Sequence, residues 1–268
     1  MQFPKLTLCL LVGGITAAQA CFAQDESDLA KQLANPVASL ISVPMQANYD
    51  DNFGPDDEGS MLRINVQPVL PFSLNDDWNL ISRTILPIVD QSNIPAAGVS
   101  EFGFSDTVQS FFFSPKAPTS GGWILGAGPV LLLPTASHDT LGAEKWGIGP
   151  TAVALRQIGP WTIGALGNHI ESFAGESQRA DISATFLQPF VSYVTPKQTT
   201  YGFSTESTYD WENEQWSVPL NFTVSQLLKV GDQLVQVGAG IRYWADAPEA
   251  GPEGWGFRLS VTLLYPKK

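Results

Sequence analysis

The C-terminal third of the chain alternates with a period of two. Trp255, Phe257, Leu259, Val261, Leu263 and Tyr265 are separated by Gly256, Arg258, Ser260, Thr262 and Leu264. A strand puts two such sets on opposite faces. Upstream, Val235, Val237, Ala239, Ile241 and Tyr243 alternate with Gln236, Gly238, Gly240 and Arg242. Trp216, Val218, Leu220, Phe222 and Val224 alternate with Ser217, Asn221, Thr223 and Ser225. Tyr201, Phe203, Thr205, Tyr209 and Trp211 alternate with Gly202, Ser204, Glu206 and Asp210. The whole chain reads as twelve strands, at 41–50, 61–72, 78–89, 102–113, 123–133, 146–156, 161–171, 182–194, 200–211, 216–227, 233–244 and 255–265.

Two folds share this alternation. In a soluble sandwich the apolar face is the core; in an outer-membrane barrel it meets lipid and the polar face lines a lumen. The runs are about 10 to 12 residues long, as a tilted membrane-crossing strand requires, whereas soluble strands run about 5 to 6. Connections also alternate in size. Short ones fall at 73–77, 114–122, 157–160, 195–199 and 228–232, and longer ones at 51–60, 90–101, 134–145, 172–181, 212–215 and 245–254, of which 212–215 is as short as a turn. Short turns at one end and longer loops at the other mark a barrel. The predicted fold is therefore all-β: a 12-stranded antiparallel transmembrane barrel of the outer membrane over 41–268, with a short N-terminal extension at 24–40. An even strand count puts both termini on the short-turn, periplasmic side.

The placement of tryptophan and charge agrees with this map. Trp78, Trp123 and Trp161 fall at the short-turn rim, and Trp146, Trp211, Trp216, Trp244 and Trp255 at the long-loop rim, as two interfacial girdles would. Lys116, Lys197, Lys229, Lys267 and Lys268 lie on the short-turn side, opposite Lys145. Most acids lie in or beside the long loops, Asp50 among them. The formal net charge of −12 argues against nucleic acid as a partner.

The N-terminus reads as a secretory signal over 1–23, with Lys5 ahead of an apolar run from Leu6 to Ile15 and small residues for cleavage after Ala20 or Ala23. Cleavage after Ala23 is preferred, and both cysteines, Cys9 and Cys21, then leave with the signal, which excludes disulfides and thiol chemistry from the exported chain. Asp25–Asp28 can cap a short helix carrying Leu29 and Leu33, stopped by Asn35-Pro36. That segment is either a periplasmic tail or a lumen plug. Seven prolines, Pro44, Pro68, Pro87, Pro129, Pro150, Pro189 and Pro219, fall inside proposed strands. A closed barrel has no free edge for them, so they belong at bulges or strand ends.

The polar parity assigns Arg63, Asn65, Gln67, Arg83, Arg156, Glu206, Asp210, Arg242 and Arg258 to the lumen. An Arg facing lipid at mid-depth costs about 2–4 kcal/mol, which favours the inward assignment. Two roles are open for them: orienting solutes in a channel, or pairing to zip a narrow interior. Catalysis finds little support. The two histidines, His138 and His169, are separate, so no metal cluster or cofactor is expected. His169 and Ser172 of Asn168-His169-Ile170-Glu171-Ser172 point to opposite faces of one strand.

The segments Asn35–Pro44, Asn65–Phe72, Asp77–Pro87, Gly122–Ile124, Gly128–Ala136, Lys145–Val153, Gly159–Trp161, Asn168-His169 and Ser207–Trp211 resemble a Gram-negative outer-membrane family labelled for meta-pathway phenol degradation (MetA-type), often mislabelled "neuromedin U". The resemblance covers nearly the whole mature chain. It implies an outer-membrane β-barrel transporter passing small, hydrophobic or aromatic organic solutes, with no catalytic residues to carry over. The surroundings it implies are outer-membrane lipid, lipopolysaccharide and, during insertion, the barrel-assembly machinery.

Overall fold

A computed structural model describes residues 29–265; the signal segment, the cap at 25–28 and Lys267 and Lys268 lie outside them. Fifteen strand segments form one sheet. They are β1 (Ile41–Phe53), β2 (Gly59–Val66), β3 (Val69–Ser73), β4 (Trp78–Ser92), β5 (Ser100–Phe104), β6 (Thr107–Pro115), β7 (Trp123–Leu133), β8 (Lys145–Ile158), β9 (Trp161–Gly175), β10 (Ser183–Val194), β11 (Thr199–Thr205), β12 (Ser207–Asp210), β13 (Gln215–Val230), β14 (Gln233–Asp246) and β15 (Gly254–Tyr265). They make twelve crossings, because β2/β3, β5/β6 and β11/β12 are each one crossing broken in two. Neighbours pair antiparallel all the way round. The ring closes where Ile41 of β1 pairs with Tyr265 of β15, so the first strand starts and the last strand ends at the short-turn rim.

The three interruptions explain the prolines. Gln67-Pro68 separates β2 from β3, and the Gln67 amide donates to the Pro44 carbonyl at 2.7 Å. Ser105-Asp106 separates β5 from β6, and the Ser105 amide donates to the Pro87 carbonyl at 3.0 Å. Glu206 separates β11 from β12 between Pro189 on β10 and Pro219 on β13, where the register also shifts. Pro129 and Pro150 stand opposite each other in the β7–β8 ladder. A proline lacks the ladder donor, so each sits where a bulge, or another proline, asks for none. The Ser105-Asp106 break also flips parity: Phe102 and Phe104 face outward before it, Phe113 after it.

The strands run further on the long-loop side than predicted. β1, β4, β9 and β14 continue to Phe53, Ser92, Gly175 and Asp246, leaving connections of only 54–58, 93–99, 176–182 and 247–253. Ladder pairs such as Asp51 with Ser60 and Met61 with Gln91 persist there, since backbone pairing does not require an apolar face. The loop over 134–144 is fastened by Asp106, whose carboxylate accepts from the Ala136 and Ala143 amides at 3.1 and 2.6 Å.

Outward positions are large, apolar and exposed, including Phe222, Ile241, Tyr243, Phe257, Leu259 and Val261. Seven tryptophans face out at the rims, and Tyr209 packs on Trp211 and Trp216 with centroids 4.7 and 4.9 Å apart. Trp244 corrects the predicted girdle. It shares the parity of Arg242 and turns inward, donating from Nε1 to Asp50 at 2.9 Å.

The inside of the barrel holds the N-terminal segment. Residues 29–33 are helical and the chain leaves the helix before Asn35, as the Asn-Pro stop predicts. Ala30, Ala38 and Leu40 pack on Val194, Leu227 and Leu264, which lie near the short-turn end. Val37 reaches further round, onto Ile81, Phe112, Val153, Leu155 and Leu166. Gln157 Nε2 donates to the Lys31 carbonyl at 2.8 Å, and Asn79 Nδ2 donates to Ser39 Oγ at 2.7 Å.

Candidate functional site: a two-sided lumen

One wall of the lumen is polar. It is built from β13, β14, β15, β1 and β2, whose alternation is cleanest. Arg258, 5% exposed, donates from Nε to Asn48 Oδ1 at 2.7 Å and grips Glu206 with both terminal nitrogens at 2.9 and 2.7 Å. The β11/β12 break places Glu206 for this reach across β13 and β14. Arg242 pairs with Asp50 at 3.1 Å and stacks over Trp244, 5.0 Å from its ring centre. Each of these arginines faces a glycine across the β14–β15 ladder, Arg242 with Gly256 and Arg258 with Gly240. A Cβ on Gly256 would come within 2.5 Å of an Asp50 carboxylate oxygen, so only glycine leaves room for that pair. Bidentate arginine–carboxylate contacts in a low-dielectric interior are strong and geometrically specific.

Lower on β4, Arg83 donates to Gln67 Oε1 at 2.8 Å. Arg63 sits on β2 opposite Asn48, with Met61 Sδ 3.5 Å from its guanidinium and the Asp50 charge nearby. Asn65 faces inward with its side-chain oxygen unpartnered, as are Asn221 Oδ1 and Arg242 Nε.

The opposite wall is apolar. Ile81, Phe112, Val130, Val153, Leu155 and Leu166 are at most 3% exposed, with Ile124, Phe186 and Phe190 beside them. Two cavities lie between the walls and the N-terminal segment. One, of about 180 Å³, is lined by residues including Leu33, Leu40, Val69, Arg83, Gln188 and Gln236. The other, of about 200 Å³, touches Ala30, Ser192, Thr200, Ser204, Thr223 and Ser225.

The structure thus brings together Arg63, Asn65, Gln67, Arg83, Glu206, Arg242 and Arg258. It corrects two other assignments. Arg156 is exposed and alternates with Leu155, which is buried, so it lies outside near the short-turn rim, beside Gly122. The polar-in rule fails on β8 because its inward residues meet Val37 rather than water. Asp210 caps the outer turn, accepting from the Glu212 and Asn213 amides at 2.9 and 3.1 Å. Reading Asp50 as a loop acid also missed its role. The parity of β1, where Asn48 and Asp50 flank the exposed Tyr49, carries that signal. Gln188, Gln236 and Thr262 were missed too, on strands whose alternation already turned them inward.

His169 faces outward. Its Nδ1 lies 2.9 Å from Thr185 Oγ1 and its Nε2 3.4 Å from Glu171, while Trp211 Nε1 donates to the same hydroxyl at 2.9 Å. His138 lies in the 134–144 loop, 3.6 Å from Glu101. Among the described residues, no three His, Cys, Asp or Glu side chains gather closely enough to hold a metal ion.

No protein-family model matches the chain, and no curated protein does. Solved structures do. An outer-membrane channel from Pseudomonas putida F1 aligns over 85% of this chain and 96% of its own length, at 15% identity and a TM-score of 0.65. The NanC porin aligns over 83% and 98%, at 8% identity and a TM-score of 0.49. The outer membrane phospholipase of Salmonella typhi covers 89% and 98%, at 10% identity and 0.49. The fold is that of a 12-stranded outer-membrane β-barrel.

Proposed function

We propose that the protein is a passive outer-membrane channel for small, hydrophobic or aromatic molecules, set in lipid and lipopolysaccharide with both termini in the periplasm. The observation that carries this reading is the buried apolar wall of Ile81, Phe112, Val130, Val153, Leu155 and Leu166 inside the barrel. Val37 of the N-terminal segment covers part of this wall; an aqueous pore for sugars or salts has no use for such a surface, whereas in this reading an apolar solute takes the place of the segment against it. The P. putida channel of the same fold supports a conducting barrel, and the resemblance to the phenol-degradation family supports the solute class. Residues 29–40 act in this reading as a plug over the short-turn end. The arginine–carboxylate pairs hold the polar wall rigid while solutes pass the other side.

Proteoliposome flux tests it. Phenol or benzyl alcohol should enter faster than a sugar of similar size, and deletion of 24–40 should raise ionic conductance several-fold. No protein-dependent flux of any solute would overturn the channel.

A second reading, a lipid-modifying enzyme, is favoured by the outward His169–Thr185 contact at 2.9 Å. It requires lipid hydrolysis by the purified protein that His169→Ala abolishes. Identical lipid profiles for both proteins would end it.

A further inference from the structure

We propose that the cavity beside Arg83 is a binding site for a small amphipathic carboxylate, with the anion on the guanidinium and the apolar body against Leu33, Leu40 and Val69. This deepens the channel reading and rests on it.

Among the described residues, the charges of the lumen are unbalanced. Arg63, Arg83, Arg242 and Arg258 face two carboxylates, Asp50 and Glu206, and both are committed. Glu206 is gripped at both oxygens by Arg258. Asp50 is held by Arg242 and by Trp244. Glu206 still acts on Arg83 through space, but the hydrogen bond Arg83 makes is to a neutral amide, Gln67, at 2.8 Å. A guanidinium carries five N–H donors in a planar fork that matches a carboxylate. Among the described residues, Arg83 forms no ion pair.

The cavity that Arg83 lines has the right second half. Leu33, Leu40, Val69, Pro36, Pro44 and Ala38 supply an apolar surface, and Gln188, Gln236 and Thr262 supply polar contacts. Its volume is about 180 Å³, while an apolar cavity of about 150 Å³ admits benzene. A single-ring carboxylate therefore fits. An inorganic anion would leave the apolar half unused, and a neutral solute would leave the fork unused. Two other guanidiniums among the described residues lack an ion pair: Arg63 lines neither lumen cavity, and Arg156 lies outside the barrel.

Calorimetry on the full mature chain in detergent, at neutral pH, tests this with two probes that share a ring: benzoate and benzyl alcohol. Benzoate should bind saturably and about tenfold or more tightly than benzyl alcohol, the factor a charge-assisted hydrogen bond supplies. R83Q should bring benzoate down to the level of benzyl alcohol. Leu33→Trp, which fills the cavity from the N-terminal segment and leaves the wall intact, should abolish binding of both. Equal affinity for the two probes in the wild type, or undiminished benzoate binding in R83Q, would overturn the proposal. If R83Q fails to fold, judged by the gel mobility of the folded barrel, Leu33→Trp decides, and retained benzoate binding in it overturns the proposal. Flux separates this failure from failure of the channel itself. When the protein speeds both probes above protein-free liposomes without preference for the anion, only the carboxylate site falls; when it speeds neither, the channel reading falls with it.

Discussion

The two lumen walls are built from the same kind of strand and held by different physics. The polar wall stands on a few directional contacts, above all Arg258 with Glu206 and Asn48. The apolar wall stands on close packing of Ile81, Phe112, Leu155 and Leu166 with Val37 of the N-terminal segment. The first tolerates loss of a whole pair and fails on loss of half a pair. The second degrades in proportion to the volume removed.

That contrast gives a ranked series of tests, read by denaturant or thermal unfolding of the detergent-solubilised barrel. Arg258→Ala leaves Glu206 as an uncompensated charge and should cost about 3–5 kcal/mol. Adding Glu206→Ala should recover a large part of this; a double variant as unstable as the single one would deny the pair its role. Leu155→Ala opens a cavity against the N-terminal segment and should cost about 3 kcal/mol. No second substitution on the polar wall should relieve that loss. Trp244→Phe keeps an aromatic ring beside Arg242 and removes the donor to Asp50, for about 1 kcal/mol; an unchanged midpoint would mean that Arg242 alone holds Asp50.

The smallest effect is at the long-loop rim. The hydrogen bond from Lys145, at 2.9 Å, holds the Asp181 carboxyl below its usual value, helped by Ser172. A lowered folded pKa contributes stability above the unfolded value of about 3.9 and loses it as pH falls through the folded value. Because Asp181 is exposed, the acid-side difference between wild type and Asp181→Asn should be barely measurable, and wholly absent at pH below the folded value.

The same contrast explains what the sequence makes legible. On β13 to β15 the lumen face is polar, the lipid face apolar, and alternation alone places Arg242 and Arg258 correctly. On β4, β6, β8 and β9 both faces are apolar, because the inward one is covered by protein. Parity then carries no sign, and Arg156, the one charged residue near that end of β8, is drawn to the wrong side. Trp244 and Asp50 were misplaced for another reason. Residue type, an aromatic at a rim and an acid near a loop, outweighed the parity of their own strands. The interruption at Glu206 was not foreseeable from spacing, yet the prolines that bracket it, Pro189 and Pro219, marked the place.

Those prolines have a consequence before the barrel exists. An exported barrel chain crosses an aqueous compartment unfolded, with long apolar strands that could template one another into fibres. A segment whose row of amide donors is broken at mid-length, as at Pro44, Pro87, Pro150 or Pro219, is a poor template for a stranger. Only its own neighbour, with a bulge or a matching proline at the same height, completes the ladder. The irregularities that thin the finished wall thus guard the traveller and authenticate its partners.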